Sequence, residues 1–394
     1  MFHFMATPPL SLYIHIPWCV RKCPYCDFNS HEVRDGIPER EYLGALIADL
    51  EQDLPGVWGR TVETVFIGGG TPSLLSPAGI EQLLNAVRAR LSLKPGAEIT
   101  LEANPGTVDQ ARFQGFREAG INRLSIGIQS FQPGQLQAIG RIHDDSEAVS
   151  AIAAARAAGF DNINLDLMFG LPDQDIAQAL DDLQTAIESG PAHLSWYELT
   201  IEPNTWFHRH PPARPDDELL WDLQQAGNAL LAGHGYARYE VSAFAREGRP
   251  CRHNLNYWKV GDYLGIGAGA HGKLTDAATQ SVYRSAKTRH PRAYIEASES
   301  GRYPGSKAQL TADDVLLEFC MNALRLEDGF SPATFAGHTG LPETALLAAC
   351  EHAAADGLLD IHDSRIRCTG RGRRYLNDVL QHFMPVTADD ARAG

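Results

Sequence analysis

The chain has 394 residues, and its formal net charge is −15. This length is too great for one ordinary core and predicts two domains, or one barrel-sized domain with an appendage. The acidic charge argues against general affinity for nucleic acids or anionic membranes, and because no segment resembles a signal peptide or a bilayer span, we expect a cytoplasmic protein.

Strands and helices are predicted to alternate along the first part of the chain. Short buried strands are predicted at residues 12–16, 64–67, 98–101, 123–128, 162–168 and 193–199. Each is followed by a segment with apolar residues at helical spacing. These six units favour a parallel sheet with right-handed crossovers. We therefore expect an α/β fold, a partial (β/α)6 TIM-like barrel that is open on one side because a closed barrel needs eight units.

Three cysteines, Cys19, Cys23 and Cys26, directly follow the first predicted strand. Thiolates at this spacing can hold three irons of a 4Fe-4S cluster, which leaves the fourth iron open to a small molecule with an amine and a carboxylate. A disulfide framework is disfavoured, because the seven cysteines are odd in number and otherwise scattered. A structural zinc is the alternative, with His15 or His31 as its fourth ligand.

Polar residues and glycines recur where the predicted strands end. They are the cysteine segment, the glycine run at residues 68–71, Glu102, Gln129 and Asp166. The carboxyl ends of parallel strands meet at one rim of a barrel, and that rim is where such barrels build their sites. The sequence therefore predicts a cofactor site at this rim.

The cysteine segment, with the aromatic Tyr25 before its last cysteine, resembles the C-x-x-x-C-x-x-C motif of the radical S-adenosylmethionine superfamily. Motifs along nearly the whole chain resemble one branch of it, which holds the oxygen-independent coproporphyrinogen III oxidases and the heme chaperones. These motifs are Tyr13-x-His15-Ile16-Pro17, the glycine run with Thr71-Pro72, Glu102-x-Asn104-Pro105, Gln129-Ser130, Arg141 and Asn164-x-Asp166-Leu167-Met168-x-Gly170-Leu171-Pro172. The resemblance implies a radical S-adenosylmethionine core at residues 1–235 and an extension at residues 236–306.

The resemblance also implies roles for individual residues. It places the 4Fe-4S cluster on Cys19, Cys23 and Cys26, and the methionine part of S-adenosylmethionine on the open iron. The other implied contacts are Gly69, Gly70 and Thr71 along its amino group, Arg141 at its carboxylate, Glu102 at the ribose hydroxyls, Gln129 and Asp166 at the nucleoside, and Tyr13 and Tyr25 beside the cluster. Core packing is the alternative for Tyr13, and a surface ion pair is the alternative for Arg141.

Two departures from the oxidases favour the heme chaperones within this branch. The oxidases carry a further cysteine two residues after the triplet, where this chain has Phe28, and a longer arm before the first strand. The resemblance then implies that the protein binds heme and transfers it to an acceptor, for which a respiratory, membrane-associated protein is one candidate. An electron donor is also implied. Oxidative decarboxylation of coproporphyrinogen III is the alternative activity, and productive cleavage of S-adenosylmethionine is left open.

A second motif, His253-Asn254-Leu255-Asn256-Tyr257-Trp258, lies in the predicted extension. A histidine beside an aromatic pair can ligate heme iron while the rings cover the macrocycle, and the resemblance associates this element with heme. His253 is therefore the candidate axial ligand, and Cys251 and His271 are alternatives. Hydrogen bonding of His253 at a strand end is the competing interpretation. Basic residues that could meet the heme propionates, or form a solvated face, are Arg284, Lys287, Arg289 and Arg292.

Residues 307–394 have a different pattern. Helices, a hairpin at residues 358–368 and a helix at about residues 372–383 predict a small winged-helix-like α+β domain. Such modules often bind DNA, but the acidic charge of the chain argues against a nucleic-acid partner. The resemblance implies that this domain covers the open barrel or binds a partner.

Overall fold

A computed structural model describes residues 1–34, 36–302, 304–362 and 364–384. The strands are β1 (Leu10–Ile16), β2 (Trp18–Cys19), β3 (His31–Glu32), β4 (Thr61–Gly69), β5 (Ser92–Ala103), β6 (Arg123–Gln129), β7 (Ile163–Phe169), β8 (His193–Glu198), β9 (Ala237–Glu240), β10 (Ala243–Ala245), β11 (Asp262–Ile266), β12 (His271–Asp276), β13 (Ser281–Lys287), β14 (Gly305–Gln309), β15 (Leu359–His362) and β16 (Arg365–Cys368).

The helices mostly lie between these strands. They are α1 (Glu39–Asp53), α2 (Pro77–Arg90), α3 (Gln110–Ala119), α4 (Pro133–Ala138), α5 (Asp145–Ala157), α6 (Ile176–Glu188), α7 (Trp206–Arg209), α8 (Asp217–Gly233), α9 (Arg252–Trp258), α10 (Pro291–Glu299), α11 (Ala312–Ala323), α12 (Pro332–Thr339), α13 (Glu343–Ala355), α14 (Gly370–Arg374) and α15 (Leu376–Gln381). Helix α2 begins at Pro77, and the Ser76 hydroxyl accepts from the Gly79 N–H at 3.0 Å.

One mixed sheet of twelve strands, in the order β14-β13-β12-β11-β1-β4-β5-β6-β7-β8-β10-β9, organises the described part of the chain. The strands from β11 through β1 and β4 to β8 are parallel, so their carboxyl ends meet at one rim. The predicted α/β fold with a partial barrel is confirmed. The sequence reading missed β11 as a seventh parallel strand, and it missed the antiparallel strands that extend both edges.

Among the described residues, apolar side chains form one large core and two smaller ones. The large core lies between the sheet and its helices and includes the buried residues of β1, a strand that is apolar on both faces because both are covered. A second core lies between the helices α11, α12, α13 and α15 and the β15–β16 hairpin. The third, here called the rim core, lies under the carboxyl rim and consists of Ile139, Met168, Leu171, Leu199 and Phe207.

The last part of the chain bridges the two edges of the open sheet. Strand β14 is one edge and leads into α11, where Glu318 pairs with Arg284 of β13 at 2.6 Å. Beyond α11, the Glu327 N–H donates to the Tyr239 carbonyl of β9, the other edge, at 3.0 Å. The predicted boundary between residues 306 and 307 therefore falls inside β14. No helix in the described ranges combines the length and apolar character needed to cross a bilayer.

Candidate cofactor site

One pocket at the carboxyl rim brings together most of the predicted site residues. It is lined by Cys19, Cys23, Cys26, Tyr25, Gly69, Gly70, Thr71, Glu102, Gln129, Arg141 and Asp166. These residues come from the ends of five parallel strands, β1, β4, β5, β6 and β7, and from the loops after them, as expected for strands that share one rim. Two of the predicted residues, Tyr13 and His253, do not line it.

The cysteine loop is held by its own backbone and by a short pair of strands. The Cys26 N–H donates to the Cys23 carbonyl at 3.1 Å across the turn at Pro24, and β2 pairs with β3 where the loop begins and ends. The Lys22 ammonium donates to the Phe28 carbonyl at 3.0 Å. Burial raises the pKa of the Cys19 and Cys26 thiols, so without a metal the loop favours neutral thiols, and metal binding would release their protons.

The arrangement of donors fits an iron–sulfur cluster better than a single zinc ion. In the described residues, no group of three or more His, Cys, Asp and Glu side chains could hold one metal ion. A four-iron cubane is larger than one ion, so its ligands stand further apart. His15 is not available as a fourth ligand, because its nitrogens bond the Tyr13 hydroxyl at 2.9 Å and the Asn29 carbonyl at 2.8 Å. His31 lines a different pocket.

The glycine segment packs closely against the chain that carries the cysteines. A Cβ at Gly69, whose φ is 113°, would lie 2.5 Å from the His15 ring, and a Cβ at Gly70 would lie 2.5 Å from the Trp18 carbonyl oxygen. The Thr71 N–H donates to that carbonyl at 2.7 Å, and its hydroxyl donates to the Cys19 sulfur at 3.5 Å. The glycines therefore hold the cysteine loop against the sheet, in addition to lining the pocket.

Two partly buried carboxyl groups face the pocket from β5 and β7, the strands on either side of β6. Glu102 accepts from the Gly69 N–H at 2.9 Å, and burial, reinforced by the charge of Asp166, raises the pKa of Glu102 to about 8. Asp166 accepts from the Asn164 amide at 2.8 Å and the Ser125 hydroxyl at 3.0 Å. Burial also raises the pKa of Asp166. Hydroxyl donors of a bound ribose would complete the hydrogen bonding of such groups.

Arg141 and Gln129 are fixed at the pocket wall by specific partners. The Arg141 guanidinium donates to the Cys23 sulfur at 3.6 Å, to Asn104 Oδ1 at 3.1 Å and to the Gly127 carbonyl. Its Nε is buried and has no partner within the described residues, so this arginine lies in the site and not in a surface ion pair. Gln129 has a left-handed φ of 71° and accepts from the Tyr197 hydroxyl at 2.6 Å.

The two predicted tyrosines have different positions. Tyr25 lines the pocket, and its ring lies 6.5 Å from that of Phe207 in the rim core. Tyr13 lies outside the pocket lining, where its ring is 6.3 Å from Phe66 and its hydroxyl bonds His15. Burial raises the pKa of Tyr13 far above its usual value. The position of Tyr13 is that of the alternative weighed for it, a packed side chain.

His253 lies in α9, away from the rim pocket, and is only 1% exposed. Its Nδ1 bonds the Thr64 hydroxyl at 2.7 Å, and its Nε2 bonds the Tyr257 hydroxyl at 3.3 Å. Burial lowers the pKa of His253 to about 3, so the ring is neutral. Heme ligation by His253 would require both bonds to break. Of the alternative ligands, Cys251 is also buried, whereas His271 is exposed.

The predicted basic segment does not form one cationic surface. Lys287 is buried, and its ammonium lies 2.5 Å from Asp49 and 2.6 Å from Asp53. Arg284 is paired with Glu318 and Tyr263, and Arg292 with Glu296. An interior ion pair ties β13 to α1, so Lys287 is not available to heme propionates.

Sequence reasoning did not assign every residue that lines the same pocket, and three of the unassigned residues carry polar side chains next to predicted ones. They are Asn104, Ser125 and Tyr197. Ser125 and Gln129 lie on one strand at even spacing, so the two-residue period of β6 would have predicted that Ser125 shares the inner face with Gln129. Tyr197 lies near the end of β8 and could have been found in the same way from the rim position of its strand.

Comparisons with known proteins agree with this geometry. The profile of the Radical SAM superfamily matches residues 13–183, and that of the HemN C-terminal domain matches residues 310–375. Heme chaperone HemW of Escherichia coli K12 is 50% identical over 96% of this chain and 99% of its own length. Heme chaperone HemW of Haemophilus influenzae is 47% identical over 96% of this chain and 98% of its own length.

A solved structure has the same overall fold. The structure of coproporphyrinogen III oxidase (HemN) from Escherichia coli superposes with a TM-score of 0.80 at 25% identity, and it covers 96% of this chain and 90% of the oxidase. The radical SAM superfamily uses a 4Fe-4S cluster and S-adenosylmethionine, which are the cofactors that the pocket residues fit. The higher identity and nearly complete coverage decide the branch: this chain belongs to the HemW family of the radical SAM superfamily.

Proposed function

We propose that this protein is a heme chaperone, which binds heme and transfers it to an acceptor protein. The observation that carries this proposal is the identity of 50% to a heme chaperone over 96% of the chain. Related heme chaperones from Mycobacterium tuberculosis are still 37% identical over 96% of the chain. Identity to the oxidase of the same fold is only 25%.

The rim pocket would hold the two cofactors. Cys19, Cys23 and Cys26 are the proposed cluster ligands, and the contacts proposed for S-adenosylmethionine are Gly69, Gly70, Thr71, Glu102, Gln129, Arg141 and Asp166. When bound, the pair supplies one-electron chemistry. The chain's own contribution is to keep Arg141 beside Cys23 and Asn104, where a cation can offset a ligand carboxylate.

Oxidation of coproporphyrinogen III is the second candidate, and the TM-score of 0.80 to the oxidase favours it. The test is anaerobic incubation of the cluster-loaded protein with coproporphyrinogen III, S-adenosylmethionine and a reductant, with the Escherichia coli oxidase as the positive control. We expect no protoporphyrinogen IX by chromatography. Repeated turnover to that product would replace the chaperone proposal with the oxidase.

Binding and transfer of heme need a separate measurement. We expect hemin to give a stable Soret band with the protein, and this band should move to that of a holo-acceptor when an apo-hemoprotein is added. A protein that binds no hemin, or that never releases it, would contradict the proposal.

The proposal includes partners and a location. A respiratory, membrane-associated hemoprotein is the proposed acceptor, and a separate electron donor would reduce the cluster. None of the seven cysteines is paired in a disulfide, which supports a location in the reducing cytoplasm because oxidising compartments favour disulfides. Co-purification of tagged protein under anaerobic conditions, followed by identification of bound hemoproteins, tests the acceptor.

A further inference from the structure

We propose that His193 is a positioning residue for the cofactor site, because it fixes the Asn164 amide that holds the Asp166 carboxyl group at the pocket. This inference rests on the proposed contact between Asp166 and S-adenosylmethionine. Asp166 lines the rim pocket, whereas Asn164 and His193 do not. His193 would therefore act on the cofactor only through other side chains.

A row of hydrogen bonds connects these three residues. The Asn164 Nδ2 donates to Asp166 Oδ1 at 2.8 Å, and the His193 Nδ1 lies 2.6 Å from Asn164 Oδ1. On the other side of the ring, the His193 Nε2 lies 2.8 Å from the Tyr239 hydroxyl. That hydroxyl accepts from the Cys251 N–H, at the start of α9, at 3.3 Å. The row therefore runs from α9 to the carboxyl group in the pocket.

The groups in this row donate in one direction. The Asn164 amide turns its nitrogen to Asp166 and its oxygen to His193. An amide oxygen only accepts, so His193 carries its proton on Nδ1 and its Nε2 is an acceptor. The Tyr239 oxygen already accepts from the Cys251 N–H, which leaves its own hydrogen for Nε2. Hydrogen bonds linked in this way polarise and strengthen one another.

Burial fixes the protonation of His193. Its side chain is 0% exposed, and that of Asn164 is 1% exposed. Burial, reinforced by the charge of Arg123, lowers the pKa of His193 well below its usual value, so the ring is neutral and has one donor nitrogen and one acceptor nitrogen. Because both side chains are buried, solvent cannot replace the His193 donor if it is removed.

His193 is the group that sets the orientation of the Asn164 amide. The Ser195 hydroxyl also donates to Asn164 Oδ1, at 3.1 Å, but a hydroxyl can equally accept from an amide nitrogen and does not select one orientation. Without the His193 N–H, the amide could turn over and place its oxygen against Asp166. The carboxyl group would then lose the partner that holds it where it meets a bound ligand.

The test measures the affinity for S-adenosylmethionine in full-length, cluster-loaded protein under anaerobic conditions. The reduced cluster is titrated with S-adenosylmethionine and followed by electron paramagnetic resonance, because a ligand on the open iron changes this spectrum. We expect His193→Ala to weaken binding about tenfold. His193→Asn, whose amide N–H can take the place of the Nδ1–H, should restore most of the affinity.

Three further variants separate positioning from stability. His253→Ala removes another buried histidine with two hydrogen bonds, outside this row, and should bind S-adenosylmethionine like the wild type. In an Asp166→Asn background, His193→Ala should cause little further loss, because both changes break the same row. Tyr239→Phe removes only the hydroxyl that donates to Nε2, and it should weaken binding about threefold.

Wild-type affinity in both His193→Ala and Tyr239→Phe would overturn the inference. An equal loss of affinity in His253→Ala, or an additive loss in the double variant, would also overturn it. Should His193→Ala fail to fold, Tyr239→Phe decides by the same criterion. Wild-type affinity in Asp166→Asn would instead refute the proposed contact of Asp166, and wild-type protein that does not bind S-adenosylmethionine would refute the cofactor assignment. Iron content and thermal unfolding of each variant show whether the cluster and the fold are intact.

Discussion

At the scale of single residues, the rim pocket concentrates groups whose ionisation is shifted by burial. Glu102 and Asp166 both have raised pKa values for this reason, and each would bind its proton more tightly in the folded chain than in the unfolded one. Such shifts are common at functional sites, because burial and close charges are arranged there. They also make the stability of the ligand-free protein depend on pH.

Glu102→Gln should remove part of this pH dependence. The pKa of Glu102 rises from 4.5 to about 8 on folding, so the stabilisation by its proton is present below the unfolded value and is lost as pH rises through about 8. The amide keeps a neutral side chain at every pH. In thermal unfolding of cluster-free protein, the stability of the variant relative to the wild type should therefore increase between about pH 6 and about pH 9. A difference that stays constant with pH would contradict this assignment.

His253→Ala should destabilise the fold. The change removes the bonds to Thr64 and Tyr257 and leaves a cavity beside Phe66, whose ring centroid lies 5.0 Å from that of His253. We expect a loss of about 2–4 kcal/mol in the free energy of unfolding, measured by urea denaturation. His234→Ala, an exposed histidine at the end of α8, is the matched control and should change stability little. Equal stability of both variants would show that the buried bonds are weak.

The sequence predicts which residues line the pocket better than it predicts which neighbours a given side chain contacts. Cys19, Glu102 and Asp166 are predictable because polar residues at the carboxyl ends of buried parallel strands usually line a binding site. The sequence also predicts Tyr13 and His253 as cofactor contacts; in the structure Tyr13 is partly buried outside the pocket lining, and His253 is buried in α9. The residue type and its spacing show that a ring can stack on a ligand or bind a metal. They do not show whether a neighbour in the fold, as Thr64 does for His253, already forms a hydrogen bond with that ring.

At the scale of elements, the glycine segment after β4 determines how closely the cysteine loop can approach the sheet. Gly70→Ala would place a methyl group 2.5 Å from the Trp18 carbonyl oxygen, which belongs to the backbone and cannot rotate away. We expect a loss of about 1–3 kcal/mol in stability and a lower iron content after reconstitution.

Gly134→Ala is the matched control for this prediction. Gly134 lies in α4, and an added methyl group would meet nothing within 4 Å. Alanine favours helix over glycine by about 1 kcal/mol, so this control should keep or raise stability. Full iron content in Gly70→Ala would mean that the loop can move outward without losing the cluster.

The central strands were predictable because the six βα units repeat an apolar strand, a polar end and an amphipathic helix. The strand β11 was not predicted because the next element is the strand β12, so it lacks the following helix that marks the other parallel strands. Lys307 lies in β14, although the pattern predicted helical structure from that point. Every residue of β14 is exposed, so it has no apolar alternation to read, and its pairing with β13 became visible only in the structure.

At the scale of the whole molecule, residues 325–327 of the C-terminal part, here called the seam, join that part to the sheet edge at β9. Arg325, the first residue of the seam, is paired with Glu240 of β9 at 2.9 Å and stacked 4.4 Å from the Trp258 ring of α9. Glu240 also forms a bridge with Leu326. One short segment therefore touches the edge strand, α9 and the last helices.

Arg325→Ala should loosen this seam. We expect a loss of about 1–2 kcal/mol in stability, because a mostly buried ion pair and a ring contact disappear together. Amide hydrogen exchange of residues 237–240 should become faster, while exchange in β4 and β5 should not change. Arg367→Ala, which removes a more exposed ion pair with Asp360 in the hairpin, is the control. Unchanged exchange at β9 in the Arg325 variant would show that the backbone pairing alone holds the seam.

The backbone bonds of the seam have a consequence for the protein among its neighbours in the cell. An edge strand with free amide and carbonyl groups is a template on which another molecule can add its own strand. The Tyr239 carbonyl and the Val241 amide are already taken by Glu327 and Arg325 of the same chain. Proteolytic removal of the chain from Arg325 onward would therefore uncover these two groups, and we expect the product to self-associate through β9.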